Sequence, residues 1–201
     1  MEESRCITTA AKVNDQMVAL SRSRTVALAA LFGSVVFISK VLLPSPFDKT
    51  LVVVQAIFLG LGAIMLPPLG ATLVALSGGL LTAAWRAPMA VYTVSFAVIY
   101  GLLVDFLCRL LKVQSGEGEI SRSRLVAAVT ASTALVGMAS YYTTVFAFQL
   151  LPRNLTLELG ILVAGTLSGL AGGYLAAVLW QKSIRHIVRP PSNRSRAAAQ
   201  R

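Results

Sequence analysis

Apolar runs occupy about 25–43, 51–66, 68–85, 88–112, 124–151 and 156–181, and the short segments between them collect the charges and most of the prolines. Each run is near the ~20 residues that carry a helix, at 1.5 Å per residue, across a hydrocarbon core of about 30 Å. The pattern predicts an all-α, polytopic membrane protein with six transmembrane helices. Runs two and three meet at Pro67-Pro68, with Gly70 just beyond. A residue before proline is pushed out of the helical region, so this stretch is cut into a helical hairpin. One unbroken helix here would need about 35 residues, too long for the bilayer.

Lys and Arg set the expected orientation. With the N-terminus inside, the cytoplasmic segments hold Arg5, Lys12, Arg22, Arg24, Arg109, Lys112, Arg122, Arg124, Lys182, Arg185, Arg189, Arg194, Arg196 and Arg201, and the outer loops hold Lys40, Lys49, Arg86 and Arg153. A bias of fourteen to four, alternating as an even span number requires, predicts both ends inside. The chain divides into a cytoplasmic arm (1–22), a six-helix transmembrane domain (23–183) and a basic, disordered cytoplasmic tail (184–201) near anionic headgroups. The arm carries Glu2, Glu3 and Asp15 without an apolar core, unlike a cleaved signal peptide. Ser-Arg-Ser-Arg recurs at 21–24 and 121–124, each time before an apolar run, but the residues after the two copies are too generic to mark a duplication.

Composition agrees: 56% of the 201 residues are hydrophobic, 13% are charged, and mean hydropathy is +0.73, which cannot supply a soluble protein's mixed-charge surface. At 21.3 kDa there is room for one helical bundle and no separate catalytic domain. The net charge of +10 sits in segments flanking apolar runs, so it is read as topology and not as nucleic-acid binding. Cys6 and Cys108 make neither a disulfide framework nor a metal site, and His186, the single histidine, stands in the basic tail. Nucleophile-elbow, zinc-protease and phosphate-loop motifs are missing, as are paired membrane aspartates. The expectation is a non-enzyme with no cofactor and no bound metal.

Small residues recur at helical spacing: Ala29 and Gly33, Ala30 and Ser34 in the first run; Ala56 and Gly60 in the second; Gly165, Gly169 and Gly173 in the last. Such faces let backbones approach closely, either inside the bundle or against a partner, and spacing alone does not separate the two. Polar side chains favour the outer half of the spans: Gln55, Thr82, Trp85, Arg86, Tyr92, Thr93, Ser95, Tyr141, Tyr142, Thr143, Thr144, Gln149, Arg153, Asn154, Thr156 and Glu158. Polar groups in lipid need partners or a wet cavity, so their gathering at one depth points to a solute pocket open to the outside. Tyr142, Phe146 and Gln149 share one helix face. The competing reading is an aromatic belt, with hydroxyls bonded back to their own helix. Asp105, an acid inside a span, is expected to pair with Arg109 one turn later.

Over about residues 22–183 the chain resembles the substrate-binding S components of energy-coupling factor transporters. The likeness rests on size, helix number, the opening Thr25-Val26-Ala27-Leu28-Ala29-Ala30-Leu31-Phe32-Gly33, and Leu66-Pro67-Pro68-Leu69-Gly70-Ala71 through Gly78-Gly79-Leu80-Leu81 to Tyr100-Gly101-Leu102-Leu103-Val104-Asp105. The resemblance implies a small organic micronutrient, a vitamin or precursor, held near the outer surface by the last three helices. It implies that Ala29, Ala30, Gly33 and Ser34 face a membrane-embedded coupling subunit, with two ATPase subunits supplying energy. Met1-Glu2-Glu3 lacks the N-terminal histidine that cobalt and nickel members carry, which implies an organic substrate. The segment 43–49 would be the lid. On these grounds Gln55, Trp85, Arg86, Tyr92, Tyr142, Gln149, Arg153 and Glu158 are the candidate substrate-binding residues, in a multi-pass protein of the cell membrane. The alternative is a membrane scaffold that binds a partner through its small-residue faces.

Overall fold

The computed structural model describes residues 23–41, 52–66, 68–85, 87–115, 119–146 and 154–184. Its helices are α1 (Ser23–Val41), α2 (Val52–Met65), α3 (Gly70–Trp85), α4 (Ala90–Leu110), α5 (Arg122–Phe146) and α6 (Leu155–Leu179). A short 3-10 turn, Ala87–Met89, leads into α4, and a π-helical turn, Trp180–Ile184, extends α6. Four helices, α1, α4, α5 and α6, are long and apolar enough to cross a membrane, which marks the chain as a membrane protein. The other two are shorter apolar helices of 14 and 16 residues, about 21 and 24 Å in length.

The α2–α3 hairpin forms where the prolines predict it. Leu66 donates the last α-helical bond to Gly62 at 3.0 Å, and Pro67 stops the helix from continuing. The next helix then lacks a local cap for its first N–H groups. Asp105 of α4 supplies it from across the bundle: Oδ1 accepts from the Ala71 N–H at 3.1 Å, and Oδ2 accepts from the Thr72 N–H at 2.9 Å and the Thr72 hydroxyl at 2.7 Å. Gly101, one turn earlier on α4, makes this reach possible, since a Cβ there would lie 2.6 Å from Thr72 Cα. The expected Asp105–Arg109 pair is therefore corrected. The carboxylate is taken by the end of α3, and Arg109 donates instead to the Pro68 carbonyl. Two charges one turn apart on α4 thus grip the same hairpin.

Glycines set the interior spacing. Along α6, a Cβ at Gly169 would lie 2.6 Å from Thr130 Cα, and one at Gly173 would lie 2.9 Å from Val126 Cα, so α5 and α6 touch backbone to backbone. On its other side, Gly172 faces Ala56 of α2, while Gly60 faces Ala176. These contacts make α2 run parallel to α6, beside its second half. Leu59, Val74 and Val104, all fully buried, join α2, α3 and α4, and Leu125, Val129, Ala176 and Ala177 continue the core between α5 and α6. Large apolar side chains such as Val26, Leu80, Phe106, Leu135, Leu159 and Leu167 point outward, as a lipid solvent requires.

Between α4 and α5 the chain departs from pure helix. Lys112 takes φ 47°, its N–H bonds to Arg109 O at 3.0 Å, and the Val113 N–H bonds to Cys108 O at 3.0 Å. This pair of bonds is a Schellman helix end, with lysine where glycine is commoner. A two-rung antiparallel ladder comes next, pairing Gln114 with Ile120 and Ser115 with Glu119. The ladder leads directly into α5.

Candidate functional site

At the end of the bundle where α4 starts, α5 stops and α6 starts, tyrosines bridge the three helices. The Tyr92 hydroxyl lies 2.7 Å from Ser140 Oγ and 3.5 Å from Thr144 Oγ1, joining α4 to α5. Tyr142 donates to the Glu158 carboxylate, joining α5 to α6. Tyr141, nearly fully buried, meets Asn154, accepting from its N–H at 3.3 Å. Local chemistry positions α6: Asn154 is its N-cap, extended at φ −136°, with a side-chain oxygen accepting from the Thr156 N–H at 2.9 Å. The cap fixes where the helix begins and so aims Glu158, one turn on, at α5.

Aromatic rings accompany these hydrogen bonds. Tyr92 packs against Phe96 at 4.5 Å between centroids, Tyr141 against Tyr142 at 5.6 Å, and Tyr142 against Phe146 at 6.0 Å with the rings 18° from parallel. The shared face of Tyr142 and Phe146 read from the sequence is present. Gln149, the third member of that face, lies outside the described residues, as do Arg86, Arg153 and the lid segment 43–49.

Three of the eight candidate substrate residues, Tyr92, Tyr142 and Glu158, are brought to this end in bonded positions. Gln55 is not. It is buried, but its neighbour Ala56 packs on Gly172, fourteen residues beyond Glu158 and roughly 21 Å further along α6. The interlock of small residues decides the depth of α2, and hydropathy along the chain does not encode it. Trp85 is 68% exposed and faces outward from the bundle, as an aromatic belt residue does. Several hydroxyls assigned to the cluster bond back to their own helix: Thr82 to Gly78 O, Thr143 to Ala139 O and Thr144 to Ser140 O. Ser140, not singled out in the sequence, proves to be a partner of Tyr92, its Oγ 2.7 Å from the Tyr92 hydroxyl. Its spacing of four from Thr144 was the available signal.

The proposed partner face is divided by the fold. Ala29 and Gly33 are buried against α3: the Ser77 hydroxyl donates to Ala29 O at 2.9 Å, and a Cβ at Gly33 would lie 2.8 Å from Gly78 N. They serve internal packing, which corrects their assignment to a partner. Ala30 is exposed and Ser34 partly so, with the Ser34 hydroxyl bonded to Ala30 O at 2.8 Å. The small residues of α2 and α6 are likewise covered by α5, α6 and α2. At the opposite end of the bundle, where the α2–α3 hairpin lies, Arg109, Lys112, Arg122, Arg124 and Lys182 close α4, open α5 and end α6.

No family model, curated protein or solved structure matches this chain. Its function therefore has to be read from its own residues.

Proposed function

We propose that this chain is the solute-capturing membrane subunit of an energy-coupling-factor-type uptake system, crossing the cell membrane six times with both termini inside. One observation carries the reading. Hydroxyl, amide and carboxylate groups of α4, α5 and α6 converge at a single end, linked through Tyr92, Tyr141 and Tyr142. A helical bundle whose only task is packing has no need to concentrate such groups at one depth. That end is the outer one in the orientation favoured by the basic residues, which puts the Arg109 to Arg124 end in the cytoplasm. The small-residue faces support this reading over a scaffold, because most are spent on contacts within the chain. A coupling subunit would meet the outer side of α1 at Ala30 and Ser34, and two ATPase subunits would supply the energy.

Orientation is tested by single cysteines in a Cys6→Ser, Cys108→Ala background, labelled in intact cells with a membrane-impermeant maleimide. Thr156→Cys is expected to react and Ser123→Cys only after permeabilisation; the reverse pattern sinks the orientation. Capture is tested by equilibrium dialysis of the purified protein in lipid nanodiscs against a vitamin panel. Retention of one ring-containing vitamin at low micromolar concentration or tighter, weakened about tenfold by Tyr92→Phe combined with Tyr142→Phe, is expected from the loss of two hydrogen bonds. A panel in which nothing is retained ends the uptake reading.

A further inference from the structure

Where α4 ends beside the tip of the α2–α3 hairpin, an apolar stripe runs into a group of cations. Leu102, Phe106 and Leu110 of α4 are 45%, 61% and 64% exposed and recur every four residues, so they form one open face. Leu69 is exposed beside its last turn, because Arg109 donates to the carbonyl of the neighbouring Pro68. Arg109 and Lys112 continue the stripe. Arg124 donates to the Lys112 carbonyl at 3.4 Å, which brings the opening of α5, with Arg122, to the same corner. All four cations are exposed. Their excess does not depend on how the acids of the connection are placed: between Arg109 and Arg124 these are Glu117 and Glu119, two against four, and Asp105 is taken by α3. Over 1–24, 106–124 and 182–201 the chain carries fourteen Lys and Arg and five Asp and Glu, so the flanking segments bring more cations than acids.

We infer that this corner binds an anionic phospholipid, one acyl chain lying along Leu102, Phe106 and Leu110 and the headgroup phosphate meeting Lys112, Arg122 and the free edges of Arg109 and Arg124. Each Lys or Arg at an anionic lipid surface strengthens attachment by roughly fivefold. A zwitterionic headgroup carries an ammonium that the same cations repel, and a free phosphate brings no chain for the stripe. A phosphate held from both helices ties the end of α4 to the start of α5, so occupancy stabilises the fold. The assignment does not depend on the uptake reading or on the orientation of the chain.

The test titrates full-length, detergent-purified protein with dioleoyl phosphatidylglycerol, dioleoyl phosphatidylcholine or glycerol 1-phosphate and follows the unfolding temperature. Phosphatidylglycerol is expected to raise it saturably, and the other two to leave it nearly unchanged. Lys112→Gln combined with Arg122→Gln is expected to need on the order of tenfold more phosphatidylglycerol for the same rise. The lipid-free unfolding temperature shows whether that variant is folded; if it is not, each substitution alone is expected to need roughly threefold more. Arg194→Gln combined with Arg196→Gln removes the same charge from the tail and is expected to respond like the parent. An equal rise with phosphatidylcholine, or none with any lipid, overturns the assignment. A rise with glycerol 1-phosphate as large as with the lipid reduces the corner to a phosphate site and overturns the lipid. A response that survives Lys112→Gln with Arg122→Gln, or that weakens as much in the tail variant, shows attraction by overall charge and overturns the site.

Discussion

Asp105→Ala is expected to lower the unfolding temperature of the detergent-purified protein by on the order of 10 °C. The substitution removes the acceptor of three hydrogen bonds at the buried start of α3 and leaves two backbone N–H groups and a hydroxyl without partners. Each orphaned group costs about 1–3 kcal/mol, so the loss is roughly 3 kcal/mol or more even after partial rescue by water. Asp105→Asn is the informative companion. Its amide oxygen still accepts from Ala71, but its NH2 meets the Thr72 N–H donor to donor, so about half the loss should remain. If Asp105→Ala melts like the parent, or if Arg109→Gln is the more damaging change, the carboxylate is not the cap of α3 and an ion pair on α4 is the better account.

Gly169→Leu is expected to be at least as damaging, and by a different route. The contact under Gly169 is backbone: Thr130 Cα would lie 2.6 Å from an added Cβ, so nothing can move aside by changing rotamer. Even Gly169→Ala forces α5 and α6 apart, at about 1–3 kcal/mol, and a leucine separates them along most of their length. Loss of monodisperse protein on size exclusion is the measurement for the leucine variant, with a lowered unfolding temperature for the alanine variant. Gly160→Ala is the control, since a Cβ there meets nothing within 4 Å. Equal behaviour of the alanine variants at 160 and 169 would mean that α5 and α6 do not pack through this stripe. Because the same two helices carry Tyr142 and Glu158, a spread pair should also lose solute retention. The stability and binding readouts therefore have to be compared in the same preparation.

Much of the fold was legible along the chain. Apolar run lengths gave six helices with boundaries close to those observed, and Pro67-Pro68 marked the hairpin, because both signals are local and the cost of exposing backbone to lipid allows little else. Tyr142 and Phe146 were readable as one helix face, since four-residue spacing acts within a turn, whereas the capping of α6 by Asn154 came from the structure. The depth of α2, and with it the removal of Gln55 from the end cluster, was decided where Ala56 meets Gly172. The partner of Asp105 was also decided across the bundle. Sequence offered it Arg109 at four residues; the fold brought it the uncapped end of α3, and three donors in fixed directions outcompete one flexible guanidinium. The small-residue stripes could have served inside or outside, and only the approach of α3 to Gly33 and of α5 to Gly169 and Gly173 showed that they lie inside. Sequence determined which segments leave water, because that depends on each segment's own transfer free energy. Tertiary structure decided which polar group answers which, because that depends on distances between segments far apart in the chain.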